Sequence, residues 1–398
     1  MTLLLIFVLG SILTKAASKI RVPDVVLYLV VGMAVGQSGL GLIRIGTNTV
    51  LNQVILLFGA SFILFHGGTV TRFTVLKKVW RSIVLLSTLG VVITAFIVAA
   101  AAHWIVGLPF SVALLLGALL ASTDPAALVP IFQRLPIRQR VSQMVISESA
   151  FTDASGAILT TLVFTTMTTG TDTFVVSTAL NFIRLAFGGM FVGAVVGLIA
   201  TFLISGHDKA IFREYTSMVV LISVLGGYAV AEWMGASGFM SAFVAGLMVG
   251  NSETLRLPIR KSEEEALHAF MDTISLKLRM LIFVLLGSQV NFVVLLRYAL
   301  PGLLVIGVFL FVARPFTVLL SLLPDTKAHW KMNEILFFFW VRETGVIAIT
   351  LVSMLSSAGV PKSDVLASIT FMAILMTLIA QASTTPFVAR ILGLLNPE

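Results

Sequence analysis

The chain has 398 residues, 58% of them hydrophobic and only 11% charged, with a mean hydropathy of +1.06 and a formal net charge of +8. A soluble domain carries roughly 25% charged residues, so this composition excludes an ordinary water-soluble enzyme or binding module and indicates a polytopic membrane protein. The chain has no cysteine, which excludes disulfides, thiolate metal sites and thiol chemistry.

A bilayer core of about 30 Å takes roughly 20 helical residues. The apolar runs that can serve predict thirteen spans, near 2–15, 24–42, 50–66, 82–106, 110–131, 143–168, 179–204, 217–234, 237–251, 271–291, 300–323, 335–356 and 364–389. The first, third and ninth are short. The longest polar interval, Ser252 to Ala269, leaves no room for a soluble domain, so 1–398 reads as one membrane domain.

Basic residues alternate between loops. Those after odd-numbered spans hold Lys15, Lys19, Arg21, Arg72, Lys77, Lys78, Arg81, Arg134, Arg138, Arg140, Lys209, Arg213, Arg256, Arg260, Lys261, Lys327 and Lys331, and Arg390 follows the last span. Loops after even-numbered spans hold only Arg44, Arg297 and Lys362. The positive-inside rule then places the N-terminus outside and the C-terminus in the cytoplasm. This distribution accounts for the +8 charge without a nucleic-acid partner. The first span lacks a basic n-region, which favours a retained helix over a signal sequence.

Thirteen spans permit an inverted repeat in which spans 1–6 match spans 8–13. Span 5 is interrupted at Ser122-Thr123-Asp124-Pro125, where proline removes a backbone donor and disfavours helix before it. Its repeat mate, span 12, carries Val341-Arg342-Glu343-Thr344-Gly345 at a similar depth. Paired interruptions in matching halves mark transporter binding sites, where half-helix ends face the ion; the plainer alternative is two kinked helices.

Span 6 places two carboxylates, Glu148 and Asp153, in an otherwise apolar helix. Ionisable groups at such depth are costly and mark ion or proton pathways. At about 100° per residue, Glu148, Ser149, Thr152, Asp153 and Gly156 share an arc of roughly 140°. Ser149 and Thr152 offer hydroxyl oxygens for a hard cation, and Asp153 offers negative charge. Burial disfavours a bare charge, so Asp153 is expected to hold either a proton or a cation. One group binding either partner, never both, suffices for exchange. Span 11 supplies Arg314, a guanidinium that needs an anion in the bundle. Its expected role is a structural ion pair with Glu148; a pairing with Asp153 would weaken that acid's proton capture. Arg342 is a second buried cation, with Glu343 beside it.

The run Ser122-Thr123-Asp124-Pro125-Ala126-Ala127, a basic loop, Ser147-Glu148-Ser149 and Thr152-Asp153-Ala154-Ser155-Gly156 resembles the monovalent cation/proton antiporter superfamily, in its sodium/proton exchanger branch (NhaP- and NHE-like). Further likenesses are Phe62 through Gly68, Phe283 through Gly287, Ala313-Arg314-Pro315 and Trp340 through Gly345. The resemblance covers nearly the whole chain. It implies that Asp153 is the carboxylate that binds Na+ (or K+ or Li+) and the proton, with oxygens from Ser149, Thr152 and Thr123. It also implies that Asp124 neutralises half-helix N-termini and that Glu148 pairs with Arg314. Implied as well are a homodimer and a core of spans about 82–168 and 300–389 moving against a dimerisation scaffold, in the manner of an elevator. No cofactor is expected beyond the transported ions, and a prokaryotic inner membrane is the expected location.

Two departures from the family pattern stand out. Thr152 occupies a position that is usually asparagine in the exchanger branch and aspartate in the electrogenic branch; with no second acid there, electroneutral 1:1 exchange is expected. His66 replaces a glutamate of span 3. It can be a pH sensor, a local partner for an acid, or a hydrogen-bonded core histidine. Glu263-Glu264-Glu265 reads as a solvated loop or surface helix, and Lys277 and Arg279 as snorkelling side chains at the cytoplasmic interface. No phosphate loop, H-E-x-x-H or hydrolase Ser/His/Asp order supports an enzyme. The alternatives are a K+/H+ antiporter or a Kef-like potassium efflux pathway. An organic-anion symporter is disfavoured by acids at both Asp124 and Asp153.

Overall fold

In the computed structural model of the protein, the structure describes residues 2–20, 23–46, 49–124, 132, 135, 137–169, 176–205 and 212–395. Pro125, Ala126 and Ala127 of the span 5 motif, and the basic residues Arg21, Arg134 and Lys209, lie outside them. The described chain is all-α and forms no strand; the isolated bridge from Ile137 to Leu395 is its extended pairing.

Each apolar run coincides with helix. In chain order these are α1 (Thr2–Ile20), α2 (Asp24–Val35), α3 (Val50–Val70), α4 (Phe73–Val106), α5 (Phe110–Ala121), α6 (Gln139–Thr169) and α7 (Val176–Ile204). They continue as α8 (Thr216–Trp233), α9 (Gly238–Gly250), α10 (Lys261–Ser288) and α11 (Ala299–Leu322). Last come α12 (Met332–Trp340), α13 (Val346–Ser357) and α14 (Ser363–Ile391). Six of the described helices are long and apolar enough on their own to cross a membrane, α4, α11 and α14 among them. Helix α10 starts ten residues before the apolar run that predicts it, so Glu263, Glu264 and Glu265 form its first turns and not a separate loop. Their hydropathy is low but their helix propensity is high, and hydropathy cannot see where a helix continues beyond the bilayer.

Small residues set the helix spacing. On α7, Gly189, Gly193 and Gly197 lie against Ser237, Ser241 and Ala245 at and along α9, so close that a methyl group at Gly193 would meet the Ser241 backbone. Close backbone approach through small residues is a main source of helix association where lipid removes the hydrophobic drive.

The irregularities come in pairs. The predicted break in span 12 is present, with α12 and α13 flanking non-helical residues 341–345; in span 5, α5 stops at Ala121 and residues 122–124 are non-helical, with 125–131 lying outside the described residues. Their neighbours α4 and α11 each contain a π-helical turn, Leu86–Gly90 and Phe309–Ala313. A third π turn, Thr377–Ala382, lies in α14. Those in α11 and α14 sit just before Pro315 and Pro386, whose missing N–H groups free carbonyls upstream. Two of the π turns reach the place where the non-helical segments meet: Phe309 of α11 lies under the Arg342 guanidinium, and Thr377 of α14 accepts the Thr344 N–H.

Candidate functional site

At the crossing the two extended segments are joined backbone to backbone: the Asp124 N–H donates to the Glu343 carbonyl at 2.8 Å. A helix that stops inside a membrane leaves carbonyls without partners at its C-terminus and N–H groups at its N-terminus. Polar side chains near the breaks take up these groups. Arg314 donates from Nε to the Phe338 carbonyl at 2.8 Å and from Nη2 to the Val341 carbonyl at 3.1 Å, closing the end of α12. Arg342 donates from Nη2 to the Ala121 carbonyl at 2.9 Å, closing α5. Asp124 Oδ2 accepts the Val346 N–H at 2.9 Å at the start of α13. Each guanidinium therefore sits at the negative end of a half-helix and the carboxylate at a positive end, as the helix dipole favours.

Arg314 is 1% exposed and also donates to both carboxylate oxygens of Glu148, from Nη1 to Oε1 and from Nη2 to Oε2. The fork geometry of guanidinium suits such bidentate pairing. The pair ties α6 to α11 and, through the two carbonyls, to α12. Arg342 stacks its guanidinium over the Phe309 ring, 5.0 Å from the centroid, within the π turn of α11.

Asp153 is left outside these pairings. It is 3% exposed, and no basic side chain among the described residues forms an ion pair with it. Its Oδ1 accepts a hydrogen bond from the Ser122 hydroxyl. Around it lies a cluster of oxygens: Ser149 Oγ donates to the Thr123 carbonyl at 2.7 Å, Thr123 Oγ1 and Thr152 Oγ1 are 2.6 Å apart, and Thr152 Oγ1 donates to the Ser149 carbonyl at 3.0 Å. A hydroxyl can turn to present a lone pair, so this set suits a small hard cation as well as a proton. Gly156 permits the approach of the break: a Cβ there would lie 3.1 Å from that of Ser122.

The structure therefore brings together nine of the predicted residues, Thr123, Asp124, Glu148, Ser149, Thr152, Asp153, Arg314, Arg342 and Glu343. The tenth, His66, stands apart on α3. Its Nδ1 is 2.8 Å from Ser275 Oγ and its Nε2 is 3.4 Å from Asp272 Oδ1, both on α10. Sequence reasoning quoted Ser122 but gave it no role, although its place as first residue of the break was the available signal. It also missed Thr377, whose hydroxyl accepts the Thr344 N–H at 3.3 Å from the π turn of α14.

A helical membrane protein with two interrupted spans crossing over a buried, unpaired carboxylate has the architecture of a secondary ion transporter. The model of the transmembrane sodium/hydrogen exchanger family matches residues 4–391, and the chain belongs to that family. It is 32% identical to the K(+)/H(+) antiporter NhaP of Alkalimonas amylolytica over 99% of its own length, and spans 66% of that relative. It is 30% identical to Na(+)/H(+) antiporter 1 of Methanocaldococcus jannaschii, covering 99% of this chain and 96% of the relative. The solved structure of the sodium proton antiporter MjNhaP1 from the same archaeon superposes with a TM-score of 0.85 at 28% identity, covering 100% of this chain and 98% of that one. The chain is thus a membrane transporter of an antiporter family and not an enzyme.

Proposed function

We propose that this protein exchanges Na+ for protons across the membrane, with Asp153 binding one or the other. The observation that carries this reading is that Asp153 has no ion pair among the described residues: Arg314 is consumed by Glu148 and two carbonyls, so no fixed cation satisfies the carboxylate that Ser122 holds beside the hydroxyl cluster. A proton or a monovalent cation supplies the missing charge. Ser149, Thr152 and Thr123 contribute oxygens, with Ser122 holding the carboxylate in place. Asp124 acts through α13, whose N-terminus it caps.

Exchange is electroneutral, one cation per proton, because Thr152 supplies no second carboxylate beside Asp153. The protein works by alternating access as a homodimer, with α4 to α6 and α11 to α14 as the moving core and the other helices as scaffold. A cavity of about 720 Å³ lined by Leu89 of α4, Phe151 of α6, Phe187 of α7 and Met240 of α9 lies along the seam between these groups and supports it as the plane of movement. The basic loops support an N-terminus outside and a C-terminus in the cytoplasm of a prokaryotic inner membrane. K+ in place of Na+ is a second reading, favoured by the K(+)/H(+) antiporter among the relatives.

The test is exchange in proteoliposomes holding a pH-sensitive dye, with Na+, K+ or Li+ added outside, with and without a clamped membrane potential. Cation-dependent proton movement that ignores voltage and is lost in Asp153→Asn is the expected result. Cation flux without proton movement would show a channel-like pathway instead, and proton-coupled transport retained in Asp153→Asn would remove Asp153 from the mechanism.

A further inference from the structure

Glu343 is the buried acid that exchange at Asp153 leaves unused. The residue is 1% exposed, its backbone carbonyl is taken by Asp124, and neither carboxyl oxygen has a hydrogen-bond partner among the described residues. Ionised, this group would be stripped of water with only its own backbone N–H acting on it. The charged groups around it do not remedy that. Arg314 acts on it but is held by both oxygens of Glu148, and Asp124 acts on it with like charge. Arg342, next in sequence, places Nη2 on the Ala121 carbonyl and its guanidinium over Phe309.

A neutral carboxyl reverses the requirement, because its O–H seeks an acceptor. Acceptors are at hand. Glu343 lines, with Thr123, Glu148 and Ser149, a cavity of about 10 Å³, at the lower limit of what one water molecule needs. Ser149 gives its own proton to the Thr123 carbonyl, so its oxygen can still accept one. Thr123 and Ser149 belong both to this cavity and to the oxygen cluster beside Asp153.

We propose that Glu343 is a resident neutral acid of the transport site, which keeps its proton through the exchange cycle and donates it across this cavity toward the Ser149 and Thr123 oxygens. It is a positioning residue: it orients the oxygens that receive the cation and never touches the cation itself. The proposal rests on the reading of Asp153 as the exchanging carboxylate. Two buried acids in one site then release a single proton per cycle.

The experiment is a pair of infrared spectra of the full chain in lipid, one proton-loaded and one Na+-loaded, each taken as the difference from Glu343→Gln in the same state, combined with exchange assays of Glu343→Gln and Glu343→Leu. The expected result is a protonated-carboxyl band that is lost in Glu343→Gln and does not change when Na+ binds. Glu343→Leu should raise the cation KM by up to about ten-fold with a smaller effect on kcat, as loss of one neutral hydrogen bond would. Glu343→Gln, which keeps a neutral donor, should recover most of that affinity with the pH profile and proton-to-cation ratio of the unaltered protein. If Glu343→Leu does not fold, the Gln variant and the spectrum decide. A band that disappears on Na+ binding, no band assignable to Glu343, or an altered proton-to-cation ratio in Glu343→Gln would overturn the proposal. Absence of exchange in the unaltered protein would refute antiport instead, while the spectrum would still report on the Glu343 proton.

Discussion

The carboxylate of Asp124, at the break of one span, accepts the backbone N–H of Val346, at the break of the other, at 2.9 Å. Together with the bond from the Asp124 N–H to the Glu343 carbonyl, this locks the two interrupted helices at their crossing. The lock has little room. Gly345 has a negative φ (φ −154°, ψ −136°), but a Cβ there would collide with the Asp124 carboxylate. Gly345→Ala should therefore act by contact and not by backbone strain. Overpacking of this kind costs about 1–3 kcal/mol. A loss of exchange of about ten-fold or more is expected, with the protein still folded by size-exclusion chromatography; full activity would show that Asp124 can leave Val346 without consequence.

Arg314 and Glu148 form the buried ion pair, and breaking it should harm folding before transport. Removing one partner of such a pair typically costs about 3–5 kcal/mol because the other charge is left buried. Thermal unfolding in detergent should show Arg314→Ala strongly destabilised, and the double variant Glu148→Gln with Arg314→Met less so than Arg314→Ala alone. A stable but inactive Arg314→Ala protein would give Arg314 a part in transport itself.

Ser122 donates to the carboxylate that is proposed to bind the ion. A hydrogen bond to a charged group contributes about 1.5–3 kcal/mol. Ser122→Ala should raise the cation KM by about ten-fold while leaving exchange coupled to protons. Titration of the dye signal against cation concentration checks this, and an unchanged KM would make the Ser122 bond incidental to binding.

Thr152 carries the stoichiometry argument, since it places a hydroxyl where a second acid would add charge. Thr152→Asn should keep electroneutral exchange with an altered order of preference among Na+, K+ and Li+. Exchange driven by a clamped potential in that variant would show that residue 152 does not set the charge balance.

His66 joins α3 to α10 through Ser275 and Asp272. If the histidine only fastens these helices, His66→Gln, which can still hydrogen bond, should leave the pH dependence of exchange unchanged. A displaced pH profile would make the His66 and Asp272 pair a sensor.

Much of this protein could be read from its sequence, because hydrophobic thickness is a property of composition. Twenty apolar residues in a row have few alternatives in lipid, and acids inside such a run must have a purpose. The helices, both breaks, the shared face of Glu148, Ser149, Thr152 and Asp153, and the need of Arg314 for an anion were legible on that basis. Hydropathy failed where a helix leaves the bilayer, as α10 does at Glu263 to Glu265. The pairing of Arg314 with Glu148 is the one expected from the sequence, and the tertiary structure adds that the same guanidinium also takes the Phe338 and Val341 carbonyls. It also decided that Arg342 closes α5 and that Ser122 reaches Asp153. These partners are far apart in sequence, and no local period encodes the angle at which two broken helices cross. The sequence determined which charged groups are buried and which of them needed partners; the bonds by which Arg314, Arg342 and Asp124 satisfy the ends of the half-helices followed only from the packing.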